Sequence, residues 1–173
     1  MIAKETNPEE WLAEGKRLLD FHEFGEAIMA FRRAGDARMV TIATAHHLRQ
    51  VARETSASTP AKRRDAFAKA ARSFECCSDV IEDPRERRAH YAAAARCYVD
   101  ARLHQDVIRL FKLAEMYTEA ALHCFHNDLL DEAVFIVKKD RVHLDLDTIE
   151  TITQEARLKY LKARRIEWVS QIF

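Results

Sequence analysis

The sequence predicts an all-α fold, a right-handed solenoid of antiparallel helical hairpins made of about ten helices. Three observations predict it. The 173 residues include only three Gly and three Pro, too few turn-formers for a strand-rich chain. Each proline follows a capping residue, at Asn7-Pro8, Thr59-Pro60 and Asp83-Pro84. Proline is tolerated in the first helical turn, where its missing N–H would lack a partner anyway, so each pair marks a helix start. Finally, the text repeats. A shift of 26 residues lays Tyr91 on Tyr117, Ala94 on Ala120, Ala95 on Ala121, Leu103 on Leu129, Val107 on Ala133 and Phe111 on Val137.

The elements follow in order. Asn7 with Glu10 opens a helix over 8–20, and a second runs over 24–34. Asp36 starts 37–55, and the polar stretch 55–59 is the one clear linker before 60–82. Asp83 with Glu86 starts 85–101; the apolar rhythm then gives 104–114, 116–126 and 129–139, with a start near Asp128. Asp147 with Glu150 starts 147–163, and 165–173 closes the chain. These helices form a single helical-repeat domain over 1–173: a hairpin at 8–34, a long pair at 37–82, two hairpins at 85–140 and a terminal repeat at 147–173. A lone hairpin cannot bury its apolar stripe, so stacked copies must share a core.

Composition bounds the function. Lys plus Arg equals Asp plus Glu at 28 each, without the basic excess of a chain whose main work is gripping polyphosphate. Cys76, Cys77, Cys97 and Cys124 lie in helical, Ala-rich text without C-x-x-C spacing, and read as reduced, buried thiols of a cytoplasmic or nuclear protein. No run of apolar residues reaches membrane-spanning length, and the N-terminus lacks the apolar core of a secretion signal.

Trp11, Gly15, Leu18, Ala27, Phe31 and Ala34 stand in the order W-x-x-x-G-x-x-L-x(8)-A-x-x-x-F-x-x-A. That pattern resembles a tetratricopeptide repeat. Small Gly15 and Ala27 let two helices approach, Trp11 and Phe31 seal the sides, and Gly35 can take the left-handed conformation that stops the second helix. Met39 replaces the proline expected near the repeat's end, the 37–55 and 60–82 helices are longer than a standard repeat permits, and the later hairpins are shorter.

A wider match rests on FRRAGDARMVTIATAHHLRQVARET, RRDAFAKAARSFECC and the run from AHYAAAARCYVD to AVFIVKK, with ARLKYLKARR at 156–165. These phrases, from about residue 9 to 165, resemble the helical-repeat region of large fungal tetratricopeptide and ankyrin repeat proteins with a UvrD-like helicase motor. The resemblance implies an accessory module of such a protein. The motor's phosphate loop, G-x-x-x-x-G-K-[ST], is not written here: Gly15-Lys16 is followed by Arg17, and position 10 is Glu.

Candidate chemistry is sparse. His123, Cys124 and His126 form the only tight metal-like group, but structural zinc wants four ligands and Cys124 matches the packing position Tyr98 of the other copy. Adjacent Cys76 and Cys77 diverge on a helix, as do His46 and His47, one of which is expected buried and the other solvated. Basic runs at 62–64, 85–88, 138–141 and 159–165 each have acidic neighbours, so a solvated helix edge outweighs a phosphate-binding stripe. No catalytic group, metal or cofactor is assigned.

A tetratricopeptide-like groove would present Glu9, Leu12, Lys16 and Leu19 from the first helix. The carboxylate clamp of that family needs Lys at position 12 and Asn at 16, so capture of a C-terminal tail is not indicated. Ile166, Trp168, Val169, Ile172 and Phe173 make the terminus apolar; the helix folds back, meets another chain, or stops mid-repeat, the last being favoured by the resemblance. The expected function is a non-catalytic scaffold for protein–protein interaction, or for docking within a longer polypeptide. A nucleic-acid-contacting helicase accessory domain and a trafficking-type adaptor solenoid are the alternatives.

Overall fold

The computed structural model describes the backbone of residues 7–55 and 59–170, with side chains as far as residue 164. Among the described residues every regular element is helical. α1 spans Pro8–Asp20, α2 Phe24–Ala34, α3 Ala37–Glu54, α4 Pro60–Asp79, α5 Pro84–Ala101, α6 His104–Leu113, α7 Tyr117–His126, α8 Leu130–Asp140 and α9 Leu146–Ser170, with a 3-10 turn at Arg141–His143. The linker residues 56–58 and the terminal Ile172 and Phe173 lie outside the described residues.

The helix starts follow local chemistry. Asn7 accepts from the Glu9 N–H, Asp36 from the Met39 N–H, and Asp83 from the Arg85 and Glu86 N–H groups. Each bond satisfies a donor that the first helical turn leaves open. Two expected starts are corrected. Asp128 does not cap α8 but forms the turn before it, with positive φ. The cap of α9 is Asp145 rather than Asp147: its carboxylate takes the Thr148 N–H at 2.7 Å and the Thr148 hydroxyl at 2.9 Å. The expected break near residue 164 is also absent. The run Leu-Lys-Ala-Arg-Arg holds good helix formers and no breaker, so the two expected last helices are one.

The chain divides into two compact units, Met1–Leu103 and His104–Phe173. In the first, α1 packs on α2, α2 on α3, α3 on α4 and α4 on α5; in the second, α6 packs on α7, α7 on α8, and α9 on both α7 and α8. The boundary falls between α5 and α6, inside the segment read as two shifted hairpins.

One register recurs along the sequence in three places. Gly15, Ala95 and Ala121 are equivalent and all buried, as are Leu18, Tyr98 and Cys124. On the helix that follows each, Ala27, Val107 and Ala133 are fully buried and Phe31, Phe111 and Val137 are buried. Trp11, Tyr91 and Tyr117 are all aromatic and half-buried. The α1–α2 pair therefore shares the register of the two 26-residue segments, at a spacing of 80 residues from the first of them.

The turns share a second feature. Gly35 (φ 74°), His22 (63°), Arg102 (60°), Glu115 (60°) and Asp128 (59°) all take the left-handed conformation one or two residues after a helix. In each case the next N–H reaches back five residues: Glu23 to the Leu18 carbonyl, Asp36 to Phe31, Leu103 to Tyr98, Met116 to Phe111 and Leu129 to Cys124. This bond closes the helix end and anchors it at a buried side chain. Arg102, Glu115 and Asp128 stand 13 residues apart, so the true period is half the hairpin. A Cβ is disfavoured at positive φ. Replacing Arg102 or Asp128 with glycine is expected to stabilise its unit by about 0.5–1 kcal/mol, whereas Gly35→Ala should cost about 1 kcal/mol. Urea midpoints read both signs, and an unchanged midpoint at all three positions would show that the turns hold no strain.

Candidate interaction surface

Packing takes up two of the four residues expected to line a groove, Leu12 and Leu19. Leu18, Ala27, Ala30, Phe31 and Ala43 form a buried cluster, against which Trp11, Leu12 and Leu19 pack while half-buried. Glu9 and Lys16 are exposed. Glu9 and Leu12 come together in an open hollow of about 390 Å³, whose other walls are Pro8, Ala34, Gly35, Asp36 and Ala37. Lys16 and Leu19 do not line it. Its character is apolar with two carboxylates, one of which, Asp36, is engaged in capping α3. Such a hollow suits an apolar side chain next to a cation.

The signature residues hold α1 to α2. A Cβ added at Gly15 would sit 2.5 Å from Cε1 of Phe31, so the ring occupies the space that a side chain would take. The Arg33 guanidinium lies 4.5 Å from the centre of the Trp11 ring, covering its outer face. Ala34 is half-buried at the hollow's edge.

The second unit carries a hollow of about 410 Å³ lined by Gln105, Ile108, Lys112, Asp131, Glu132, Phe135 and Ile136. Lys112 is tied to Asp140 at 3.1 Å, and its ammonium and that of Lys139 both lie near the exposed Phe135 ring. None of these residues was singled out from sequence except as part of a basic run. The amphipathic rhythm of α6 and α8 records which positions face inward, not which gaps remain between the helices.

The histidines make tertiary contacts. His123 pairs with His104 of α6, ring nitrogen to ring nitrogen at 3.0 Å, instead of joining Cys124 and His126. The Asn127 amide nitrogen can only donate, so Nδ1 of His123 at 3.5 Å accepts and its Nε2–H donates to His104. Burial, with His104 and His126 nearby, lowers the His123 pKa. Cys124 points into the core and its thiol is pushed up to about 11 by burial. Among the described residues, no three His, Cys, Asp or Glu side chains are grouped to hold a metal ion.

His46 and His47 are both half-buried, correcting the expectation that one is solvated. His46 stacks on Phe24 at 5.3 Å and meets Phe74 edge-on at 5.1 Å, and its Nδ1 lies 3.3 Å from an Arg49 nitrogen. Arginine only donates, so that nitrogen is an acceptor. Burial, then Arg49, His90 and His22, drive the His46 pKa down to about 4. Buried His90 bonds the Glu86 carbonyl through Nδ1 at 2.9 Å, and its Nε2 has no partner among the described residues; neither has Nδ1 of His47.

Three of the four cysteines, Cys77, Cys97 and Cys124, are buried. Cys76 is exposed while Cys77 is buried, as their divergence on one helix requires. Burial raises Cys77 to about 12 and Cys97 to about 11, so both stay thiols at neutral pH. No helix among the described residues is long and apolar enough to cross a membrane.

Comparison with protein-family models, with curated proteins and with solved structures finds no match for this chain.

Proposed function

We propose that this chain is a non-catalytic helical-repeat scaffold, a right-handed solenoid of tetratricopeptide-like hairpins that docks a protein partner or another part of a longer polypeptide. The observation that carries this reading is the register shared by α1–α2 and the two later segments, with small residues buried at equivalent positions. Backbones that approach through Gly and Ala make rigid neighbours, and a preformed surface loses little ordering entropy when a partner lands. The resemblance of the sequence to the repeat region of UvrD-like helicase-type proteins supports the motor of such a protein as the docking partner.

The test is direct binding between this chain and a UvrD-like motor polypeptide supplied separately. The proposal expects association that Leu12→Asp or Glu9→Lys weakens at least roughly tenfold, since both line the first hollow. Absence of association, or association indifferent to both changes, overturns it. A nucleic-acid role is the second reading, favoured by Arg157, Lys159, Lys162 and Arg164, all exposed on α9. It expects salt-dependent retention of a single-stranded oligonucleotide, lost on reversing those charges.

A further inference from the structure

α9 changes character halfway. Ile149, Ile152 and Ala156 are buried, and Tyr160 continues that edge by donating its hydroxyl to an Asp131 oxygen at 3.0 Å. From residue 157 to 164 every side chain is exposed, yet Leu158 is 51% and Leu161 62% open to solvent. At 100° per residue these two leucines share one stripe, roughly on the far side of the helix from Ile152 and Ala156. Arg157 and Arg164 run along one side of that stripe and Lys162 along the other. The segment 157–164 contains no acidic residue. An apolar ridge beside a cationic rail fits an apolar trough with an acidic edge.

The same unit holds an apolar trough with one acidic edge, made by the consecutive Asp131 and Glu132 of α8. The 410 Å³ hollow has Ile108, Phe135 and Ile136 as its apolar surface and Asp131 and Glu132 among its walls. Phe135 is 59% exposed, although it is the largest apolar side chain there. The one cation in the lining, Lys112, is paired with Asp140, and outside the lining the Lys139 ammonium lies 5.9 Å from the centre of the Phe135 ring. The leucine stripe points away from the edge that α9 lays on its own unit, so it cannot enter the trough of its own chain.

We infer that two copies of this chain associate by docking the Leu158/Leu161 stripe of one into the α6/α8 trough of the other. Apolar contact supplies the attraction, and a cationic rail against Asp131 and Glu132 sets the register. The inference stands independently of the proposed scaffold role, because it uses only the second unit.

Sedimentation velocity of the full chain over about 1 to 100 µM tests it, that being the range in which a contact of this modest size would be half-formed. Reversible dimerisation is expected, weakened roughly tenfold or more by Leu161→Asp or by Phe135→Asp alone. Both positions are exposed, and circular dichroism checks that the variants remain helical. Mixing the two variants is the decisive arm. One intact helix–trough pair survives in the mixed dimer, so association should partly return. Charge reversal gives a second arm: Lys162→Glu should weaken the dimer, and Glu132→Lys in the other copy should recover it. A chain that stays monomeric throughout overturns the inference, including one that instead binds phosphatidylserine vesicles through Leu161. A mixture no tighter than its components also overturns it, because the stripe would then pair with itself.

Discussion

Gly15→Ala should destabilise the first unit by about 1–3 kcal/mol, although alanine is the better helix former. Two effects oppose each other. Removing glycine from the middle of α1 should gain about 1 kcal/mol through the backbone entropy of the unfolded chain. The added Cβ would stand 2.5 and 2.6 Å from two carbons of Phe31, a ring with no solvent exposure into which it could retreat. Interiors pack at crystal-like density, so relief requires the helices to separate or the ring to leave its rotamer. The sign of the result therefore measures the closeness of α1 and α2. Phe31→Leu alone leaves a cavity and should also destabilise, by about 1–2 kcal/mol. Combined with Gly15→Ala it should lose less than the sum of the two, because the shortened side chain gives the new methyl room. Additive losses in urea unfolding would show that the two residues do not contest the same space.

Acid should destabilise the first unit through His46, between about pH 6.5 and the His46 pKa of about 4. The sign follows from proton binding. In the unfolded chain the imidazole takes a proton near its ordinary value of 6.5, whereas in the fold burial and Arg49 hold it neutral down to about 4. Within that window the unfolded state binds more protons, so stability falls as pH falls; above it the contribution is unchanged. A displacement of this size, discounted for the ring's residual exposure, amounts to about 2 kcal/mol. His46→Phe keeps a flat ring between Phe24 and Phe74 while removing the titration. The variant should lose about 2 kcal/mol less than the parent over the same range, with carboxylate effects cancelling in the difference. Parallel stability–pH curves for the two proteins would contradict this assignment.

The helix starts were legible because Pro8, Pro60 and Pro84, and the capping Asn7 and Asp83, act within one turn of chain; Thr59, before Pro60, makes no capping bond with its side chain. Gly15 opposite Phe31 was legible for a related reason: spacing alone places a small residue where two helices cross. The left-handed turns at His22, Arg102, Glu115 and Asp128 were hidden, since only Gly35 carries the residue that announces such a conformation. Asp128 misled because aspartate is a good helix cap as well as a tolerant turn residue. The His46 cluster draws Phe24, Phe74 and His90 from different helices, and the His104–His123 pair joins residues 19 apart. Neither has a periodic trace, because tertiary packing creates the contact. The two hollows are gaps between elements, and no residue pattern encodes a gap.

The central claim is that one register of small, buried residues recurs in three segments of the chain. A substitution series measures it most directly: urea unfolding of Gly15→Leu, Ala95→Leu and Ala121→Leu beside Lys16→Leu, Arg96→Leu and Glu119→Leu. The first three positions are buried and the second three exposed. The register predicts a loss of about 2 kcal/mol or more at each of the first three and a change within about 0.5 kcal/mol at each of the second. Tolerance of leucine at Ala95 and Ala121, with Gly15 alone sensitive, would contradict it.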